Sequence, residues 1–307
     1  MEMFSIWYNM ENISKRLPIT GEDMITFSKT KLDSRKYFEI YENHYAFIEE
    51  WAELTDREQH VATCKFVSSR RNNLSFTAQS SCAIRTISRL DKYDNHPHCL
   101  TTTKRSRDLI CWRIKKEMPK TETIDGIQVA NCLDTICDLA KHDTAKSLLV
   151  SINDCLYKKY FTYNHLVTFI DKQKNRRHTK KLLKVIKFAT NKCESPLETI
   201  ALIEILRAGY VLPRQQIAIY EDNHFVARVD MFWQMRYKKI ILEVDGKNKY
   251  SDATDLFNEK IREDKLRSMG YCVIRATWGD VISGKLIELL EKSKIPKRRY
   301  NKQTIFS

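Results

Sequence analysis

The sequence predicts an α/β protein with a mostly helical N-terminal region, a few short strands, and a C-terminal core of order α-β-β-β-α-β. Glycine is rare, and five of the seven glycines lie at or after Gly209, so turns concentrate in the last third. From Cys193 onward, short apolar runs separated by polar turns alternate with amphipathic patterns. The chain has 307 residues, a length that favours more than one domain.

The first segment, residues 1–110, is expected to be mostly helical and to form a DNA-binding module. Aromatic and aliphatic residues recur near helical spacing in YFEIYENHYAFIEEWAEL, which begins at Tyr37. The stretch LSFTAQSSCAIRTISRL, from Leu74 to Leu90, has a weaker helical pattern, and a helix-turn-helix there would read DNA. Further on, HCLTTTK and LICWRIKK predict two strands with a basic turn between them.

The second segment, residues 111–192, continues as short strands and then as helices that end in a basic helix. Asp125 and Gly126 predict a turn, and a helix is expected from about Asn131 to Lys141. Residues 171–192 carry nine Lys or Arg and one acid, which predicts phosphate contacts with a nucleic acid. The candidate residues are Lys174, Arg176, Arg177, Lys180, Lys181 and Lys184. A solvated linker helix is the alternative.

The third segment begins with ESPLETIALIEILRAGY. Ser195 is a candidate helix N-cap, a proline follows it, and Glu198 stands three residues after the cap, which predicts a capping box. Gly209 ends that helix. RQQIAIY, FVARVDMFW and KIILEVDG then predict a three-stranded antiparallel meander, followed by helix, strand and helix. Residues 193–290 therefore form one domain, and residues 291–307 a basic tail.

The composition indicates a soluble protein with a polyanionic partner. The net charge of +14 favours DNA, and RNA stays open. No apolar run is long enough for a membrane span, and the N-terminus lacks the pattern of a secretion signal, so we expect a cytoplasmic protein without membrane contact. The nine cysteines lack C-x-x-C spacing, which predicts reduced thiols in the core.

Carboxylates occur in the second and third strands of the predicted meander. Pairing of these strands through the QMRYK turn would bring Asp230 close to Glu243, with Asp245 nearby. Two ionised carboxylates at such a short distance need a cation between them, and carboxylate oxygens are ligands that suit Mg²⁺ or Mn²⁺. The sequence therefore predicts a metal site. The alternative is an exposed strand end whose carboxylates pair with Arg228 or with the lysines that precede the third strand.

The stretches ESPLE, RVD, LEVDG, NEKIREDKLRSMG and GYCVIR resemble motifs of the PD-(D/E)XK nuclease superfamily. Within it, they resemble most the small domains related to very-short-patch-repair (Vsr) endonucleases. The resemblance covers residues 193–290 and implies a restriction-endonuclease-like core. Upstream, NNLSFTAQSSCAI and IDGIQVANCLDTICDLA resemble more weakly the AbiEi-type antitoxin or regulator region. Together they imply a bacterial or phage setting in defence, repair or a toxin–antitoxin-like role.

The nuclease resemblance implies a Mg²⁺-dependent endonuclease that hydrolyses phosphodiester bonds of DNA. Asp230 and Glu243 would hold Mg²⁺ or Mn²⁺, and Glu198 would orient water or act as an outer ligand. Asp245 and Lys247 complete the candidate catalytic set, in which a lysine stabilises phosphate charge. Further candidates that line the site are Arg228, Lys249, Arg262 and Asp264, and Arg275 is a candidate phosphate contact.

Two departures from the family pattern affect this assignment. Asp245 stands where the superfamily usually has its lysine, and Lys249 stands where close relatives often carry histidine. The lysine role is therefore open between Lys247 and Lys249. The alternative function is a non-catalytic, nucleic-acid-binding transcriptional regulator with a degenerate nuclease domain. A homodimer and a protein partner that supplies targeting also stay open.

Overall fold

The computed structural model describes residues 25–26, 37–41, 44–102, 109–113, 120–172, 179–246, 253–297 and 306. The chain divides into two compact units, one of Met1–Ile87 with Asp91–His142 and the other of Ser88–Leu90 with Asp143–Ser307. Both units mix helices and strands, which confirms the α/β class. The division after His142 does not coincide with the expected boundaries at residues 110 and 192. Within the described ranges, no helix is both long and apolar enough to cross a bilayer.

The first unit contains two sheets. Its described elements are β1 (Ile25–Thr26), β2 (Tyr37–Tyr41), β3 (His44–Phe47), α1 (Ile48–Glu53), α2 (Asp56–Arg70), β4 (Leu74–Phe76), α3 (Ala78–Ile84), β5 (His98–Thr101), β6 (Ile110–Arg113), β7 (Thr121–Ile124), β8 (Ile127–Ala130) and α4 (Cys132–Leu139). The sheet orders are β1-β3-β2 and β6-β5-β4-β8-β7. The predicted strands in HCLTTTK and LICWRIKK are confirmed as β5 and β6, which run parallel. The basic turn between them lies outside the described residues.

The helix expected from Tyr37 onward is wrong over its first part. Tyr37–Tyr41 and His44–Phe47 form antiparallel strands, and a helix begins only at Ile48. Tyr, Phe and Ile favour strands as well as buried helix faces, and a short apolar run does not separate the two by periodicity. The helical spacing of these aromatic residues was therefore a coincidence of composition.

The weaker helical pattern from Leu74 to Leu90 is partly wrong. Leu74–Phe76 is a buried strand that pairs with β5 and β8, and the helix covers only Ala78–Ile84. This stretch therefore holds a strand and one short helix, which does not match the expected helix-turn-helix. The turn at Asp125 is confirmed: this residue and the next glycine have φ values of 47° and 76° between β7 and β8.

The second unit carries the predicted C-terminal order. Its described elements are α5 (Ala145–Tyr157), α6 (Tyr163–Lys172), α7 (Thr179–Val185), a 3₁₀ turn (Ile186–Phe188), α8 (Pro196–Arg207), β9 (Arg214–Glu221), β10 (His224–Gln234), β11 (Lys239–Asp245), α9 (Ala253–Ser268), β12 (Tyr271–Thr277), α10 (Trp278–Ser283) and α11 (Lys285–Lys292). From α8 to β12 this is the expected α-β-β-β-α-β sequence, and the meander of β9 to β11 is confirmed.

The sheet of the second unit has the order β12-β11-β10-β9, with β11 and β12 parallel. Residues of β11 alternate between two apolar clusters, as a strand between two helices requires. Ile240, Leu242 and Val244 pack in the cluster that contains the buried side of α8. Ile241 packs in the cluster that contains Leu266 of α9. One face of the sheet is therefore covered by α8 together with residues of α5, α10 and α11, and the other face by α9.

Two further expectations concern the cysteines and the tail. All eight cysteines whose side chains the structure describes are free thiols, and seven of them are buried, which confirms the reduced core thiols. The segment expected as a tail is partly built into the fold. Helix α11 continues to Lys292, Lys297 bridges to Tyr210, and the Val211 N–H donates to the Pro296 carbonyl at 3.1 Å.

Candidate functional site

Glu198 lies in the first turn of α8 and is 5% exposed. The Ser195 hydroxyl accepts a hydrogen bond from the Glu198 N–H at 3.2 Å and donates to Glu198 Oε1 at 2.9 Å. Glu198 Oε2 accepts from the Glu194 N–H at 3.1 Å, one residue before the N-cap. Ser195 is thus confirmed as the N-cap. In a capping box the Glu198 carboxylate would accept from the N–H of Ser195, but here it accepts from the N–H of Glu194. The start of the helix holds this carboxyl in one place.

Asp230 reaches the same region from β10. Gln216 of β9 lies opposite Asp230, between the partners Val229–Ile217 and Met231–Gln215. The Gln216 amide donates to Glu198 Oε2 at 3.1 Å and lies 3.5 Å from Asp230 Oδ1. Its φ of 51° is in the left-handed region, which costs backbone energy for a non-glycine residue. One strained glutamine therefore joins the two carboxyls.

The β10–β11 ladder is interrupted at Asp230. Main-chain pairing ends at Met231–Leu242, and the Val244 N–H donates instead to Asp230 Oδ2 at 2.9 Å. Val229 and Phe232, three residues apart, both pack on the α9 side, so the alternation of side chains shifts between them. This shift turns Asp230 toward α8 and Glu198.

The Glu198–Asp230 pair carries poorly compensated negative charge. Burial is the largest cause that raises the pKa of Glu198 from 4.5 to about 7, and the charge of Asp230 raises it further. Hydrogen bonds from the Glu194 N–H, Ser195 and Gln216 lower that pKa without offsetting the rise. At neutral pH the carboxyl of Glu198 therefore exchanges between protonated and ionised forms.

Glu243 and Asp245 lie beside arginines on the α9 side of the sheet. Glu243 is 2% exposed, and its Oε1 accepts from Arg262 Nη2 at 3.3 Å. Asp245 Oδ2 accepts from Arg275 Nη1 at 2.8 Å. Arg275 stands opposite Glu243 in the parallel β11–β12 register. The carboxylates that end β11 are thus compensated by guanidinium groups from the neighbouring helix and strand.

Two acids of α9 extend this ion-pair network. Glu259 Oε2 accepts from Arg262 Nε at 3.0 Å, and Glu263 Oε2 accepts from Arg275 Nε at 2.6 Å. Burial opposes ionisation of Glu259, but hydrogen bonds from Arg262 and Arg275 outweigh it and lower the pKa of that carboxyl. Both arginines are thereby oriented toward the end of β11. Asp264, on the same helix, is exposed.

The structure thus places the candidate carboxylates in two neighbouring groups. Glu198 and Asp230 meet at Gln216, and Glu243 and Asp245 meet the two arginines. In the part of the chain that the structure describes, no three His, Cys, Asp or Glu side chains gather as a metal-binding group. Mg²⁺ commonly binds through one or two carboxylates and keeps several waters, so the pair of Glu198 and Asp230 fits such an ion. The shared Asp230–Glu243 metal site stays a prediction.

Comparison of the chain with protein-family models, curated proteins and solved structures gives no match. The assignment of a function therefore depends on the residues and on the geometry of the second unit. Gln216 was not among the residues predicted from the sequence, and the structure places it between the Glu198 and Asp230 carboxyls. Arg275, a predicted phosphate contact, donates to Asp245. The register of the β9–β10 hairpin could have pointed to Gln216. Counted from the Asp222–Asn223 turn, and with the one-residue irregularity near Val226 included, Gln216 on β9 falls opposite Asp230 on β10.

The remaining candidates are basic residues. Lys247 and Lys249 lie outside the described residues, as do Lys174, Arg176 and Arg177. Arg228 donates to Glu194 Oε2 at 2.8 Å, which leaves it at the rim of the Glu198 region.

The basic helix is confirmed as α7, with Leu182 and Val185 buried beneath it. Lys181 Nζ donates to the Asp143 carbonyl at 2.6 Å and so has a structural contact. Lys180 and Lys184 of α7, and Lys187 of the 3₁₀ turn that follows it, are exposed. These three lysines, here called the basic face, suit contacts with phosphates.

Proposed function

We propose that this chain is a metal-dependent endonuclease that hydrolyses phosphodiester bonds of DNA, with a restriction-endonuclease-like core in residues 193–290. The observation that carries the proposal is the buried Glu198 carboxyl beside the half-buried Asp230, both held by Gln216 where the β10–β11 ladder opens. Two adjacent carboxyls, one of them buried, destabilise the fold when both are ionised, and a bound divalent cation would relieve that cost.

Asp230, with Glu198 or Glu243, would hold Mg²⁺ or Mn²⁺ at this position. When bound, such an ion supplies positive charge that polarises the scissile phosphate and lowers the pKa of water. Where Glu243 is the second ligand, the Glu198 carboxylate would be free to orient an attacking water or accept its proton. Arg262 and Arg275 present guanidinium groups beside the same strand end, where they would stabilise phosphate charge. The lysine role predicted for Lys247 or Lys249 is part of the proposal.

DNA is the proposed substrate because the chain is strongly basic. The net charge is +14, and the basic face provides three exposed lysines in the same unit as the carboxylates. Contacts of this kind bind any duplex through its phosphates, and their strength falls with salt. Base-specific contacts are not part of the proposal, and RNA remains an outcome of the test. A bacterial or phage setting in defence or repair belongs to the same proposal.

A non-catalytic regulator that binds nucleic acid is the second candidate. It is favoured by the ion pairs that occupy Glu243 and Asp245, and by the aspartate that stands where the superfamily has lysine. In such a protein the arginines would be permanent structural partners of the carboxylates. The core would then serve as a binding platform.

Cleavage of supercoiled plasmid and single-stranded DNA or RNA by the purified full chain separates the two candidates. Each substrate is incubated with Mg²⁺, Mn²⁺ or EDTA, using wild type, Asp230→Asn and Glu243→Gln. The matched control is Glu288→Gln, which changes an exposed carboxyl on α11. If the chain is an endonuclease, we expect metal-dependent cleavage whose rate falls about 100-fold or more in both site variants and is unchanged in the control. Salt-sensitive binding without cleavage in any protein would support the regulator.

A further inference from the structure

Helix α9 exposes a row of large apolar side chains. Phe257 is 63% exposed and Ile261 is 53% exposed. The two are four residues apart and therefore lie next to each other on one face of the helix. The opposite face of α9 buries Leu266 against the sheet, so this helix is apolar on two sides. A surface helix of a monomer usually presents polar residues to water. Exposed apolar side chains such as Phe257 and Ile261 therefore indicate a contact surface for a partner.

The tip of the β9–β10 hairpin extends this apolar surface. Phe225 is 61% exposed and Tyr220 is 59% exposed, and their rings meet edge to face at 5.9 Å between centroids. Phe225 and Ile261 both line an open groove of about 540 Å³ between the hairpin and α9. The four residues Tyr220, Phe225, Phe257 and Ile261, with the groove between them, are here called the hairpin–helix patch. They include most of the large apolar side chains of the described chain that are more than half exposed.

The charges around the groove are balanced. Glu221 and Asp222 line one side, and Arg262 and Lys265 belong to α9. Lys265 and Glu221 form an ion pair across the groove. The chain as a whole carries +14, so this balance makes the patch unlike the rest of the surface. A polyanion would bind elsewhere, on basic surface such as α7.

Two copies of a chain with this charge repel each other, and the repulsion is smallest where a near-neutral surface meets its own copy. An apolar surface whose flanking charges are already neutralised within one chain, as Lys265 and Glu221 are, can meet its own copy about a two-fold axis without this repulsion. We propose that the hairpin–helix patch is the contact surface of a homodimer, with α9 packed against α9 of a second copy about an axis near Ile261.

Arg262 follows Ile261 on the same helix and binds Glu243, so the dimer contact lies one residue from the candidate site. The proposal does not depend on the nuclease assignment. If that assignment holds, the dimer would carry two sites related by the same two-fold axis.

Sedimentation velocity of the full chain over a wide range of concentrations tests the proposal. Wild type is expected to form a dimer, and Ile261→Glu and Phe257→Glu are each expected to raise the dimer dissociation constant at least about tenfold. The control is Tyr237→Glu, because Tyr237 is 87% exposed and lies on the β10–β11 turn outside the patch. Thermal unfolding of each variant verifies that the fold is retained.

A cysteine substitution tests the symmetry of the contact. Under mild oxidation, Ile261→Cys is expected to form a disulfide-linked dimer, since a residue near a two-fold axis meets its own copy. Tyr237→Cys should not cross-link at comparable protein concentration. A wild type that is monomeric at every concentration would overturn the proposal, and so would a dimer that persists in Ile261→Glu. Loss of DNA binding in Ile261→Glu without any change in assembly would instead assign the patch to nucleic acid.

Discussion

Replacement of Glu198 by glutamine tests the Glu198–Asp230 pair, because the stability cost of ionised Glu198 depends on pH. Burial first, and then the charge of Asp230, raises the pKa of Glu198 from 4.5 to about 7. Each pKa unit corresponds to about 1.4 kcal/mol, so ionised Glu198 destabilises the folded protein by about 3 kcal/mol. Glutamine keeps the size and an acceptor oxygen but carries no charge. The variant therefore escapes this destabilisation.

The direction in which stability changes with pH follows from proton binding. The folded protein holds this proton more tightly than the unfolded chain does, so wild-type stability falls as pH rises between 4.5 and about 7 and levels off above that. Below the lower value the carboxyl is protonated in both states and the cost is absent. The free energy of unfolding of Glu198→Gln minus that of wild type is thus expected to increase by about 2–3 kcal/mol from pH 5 to pH 8. Lost hydrogen bonds add a constant offset that does not depend on pH.

The assay is urea unfolding in EDTA, read from hydrogen exchange at the buried amides of Ile240–Val244. This local readout is needed because the chain has two compact units, which need not unfold together. The matched control is Glu288→Gln, whose stability difference from wild type should stay within about 0.5 kcal/mol at both pH values. A Glu198→Gln difference that is constant with pH would refute the claim that the pair holds uncompensated charge. Added Mg²⁺ should reduce the pH dependence of wild type.

Two further predictions concern the arginines and the basic face. Arg275→Met removes the guanidinium group that donates to Asp245 Oδ2, and should lower the free energy of unfolding by about 1–3 kcal/mol. Arg207→Met, on the exposed surface of α8, should change the free energy of unfolding by under about 0.5 kcal/mol in the same urea titrations. Simultaneous replacement of Lys180, Lys184 and Lys187 by alanine should weaken DNA binding, as measured by fluorescence anisotropy. The slope of log K against the logarithm of the salt concentration should become smaller in magnitude by about 2–3. An unchanged slope would exclude these lysines as phosphate contacts.

The C-terminal order could be predicted from the sequence because its local signals agree with its tertiary environment. Ser195 caps a helix, a glycine ends it, and alternating strands are separated by polar turns. The alternation of β11 between two buried faces is also what a central strand of this kind requires. The first unit was harder, because aromatic residues such as Tyr37 and Tyr45 suit both strand and helix. The antiparallel pairing of β2 with the next strand, β3, decided in favour of strands there.

The sequence predicted which residues belong to the candidate site, but not which of their side chains contact each other. Strand alternation placed Asp230 opposite Glu243, and regular pairing would have put both on one face. The ladder instead breaks where Asp230 accepts from the Val244 N–H, and this turns Asp230 toward Glu198. The break lies opposite Gln216, a residue of a third strand with a positive φ, and no spacing rule anticipates it. The partners of Glu243 and Asp245 are likewise set by how α9 and β12 pack.

Titration of Mn²⁺ into the metal-free full chain, followed by calorimetry, tests most directly whether the carboxylate pair is a divalent-metal centre. The account predicts one ion per chain in wild type, an affinity at least about tenfold lower in Asp230→Asn, and an unchanged affinity in Glu288→Gln. Absence of Mn²⁺ binding, or binding that Asp230→Asn leaves intact, would contradict it.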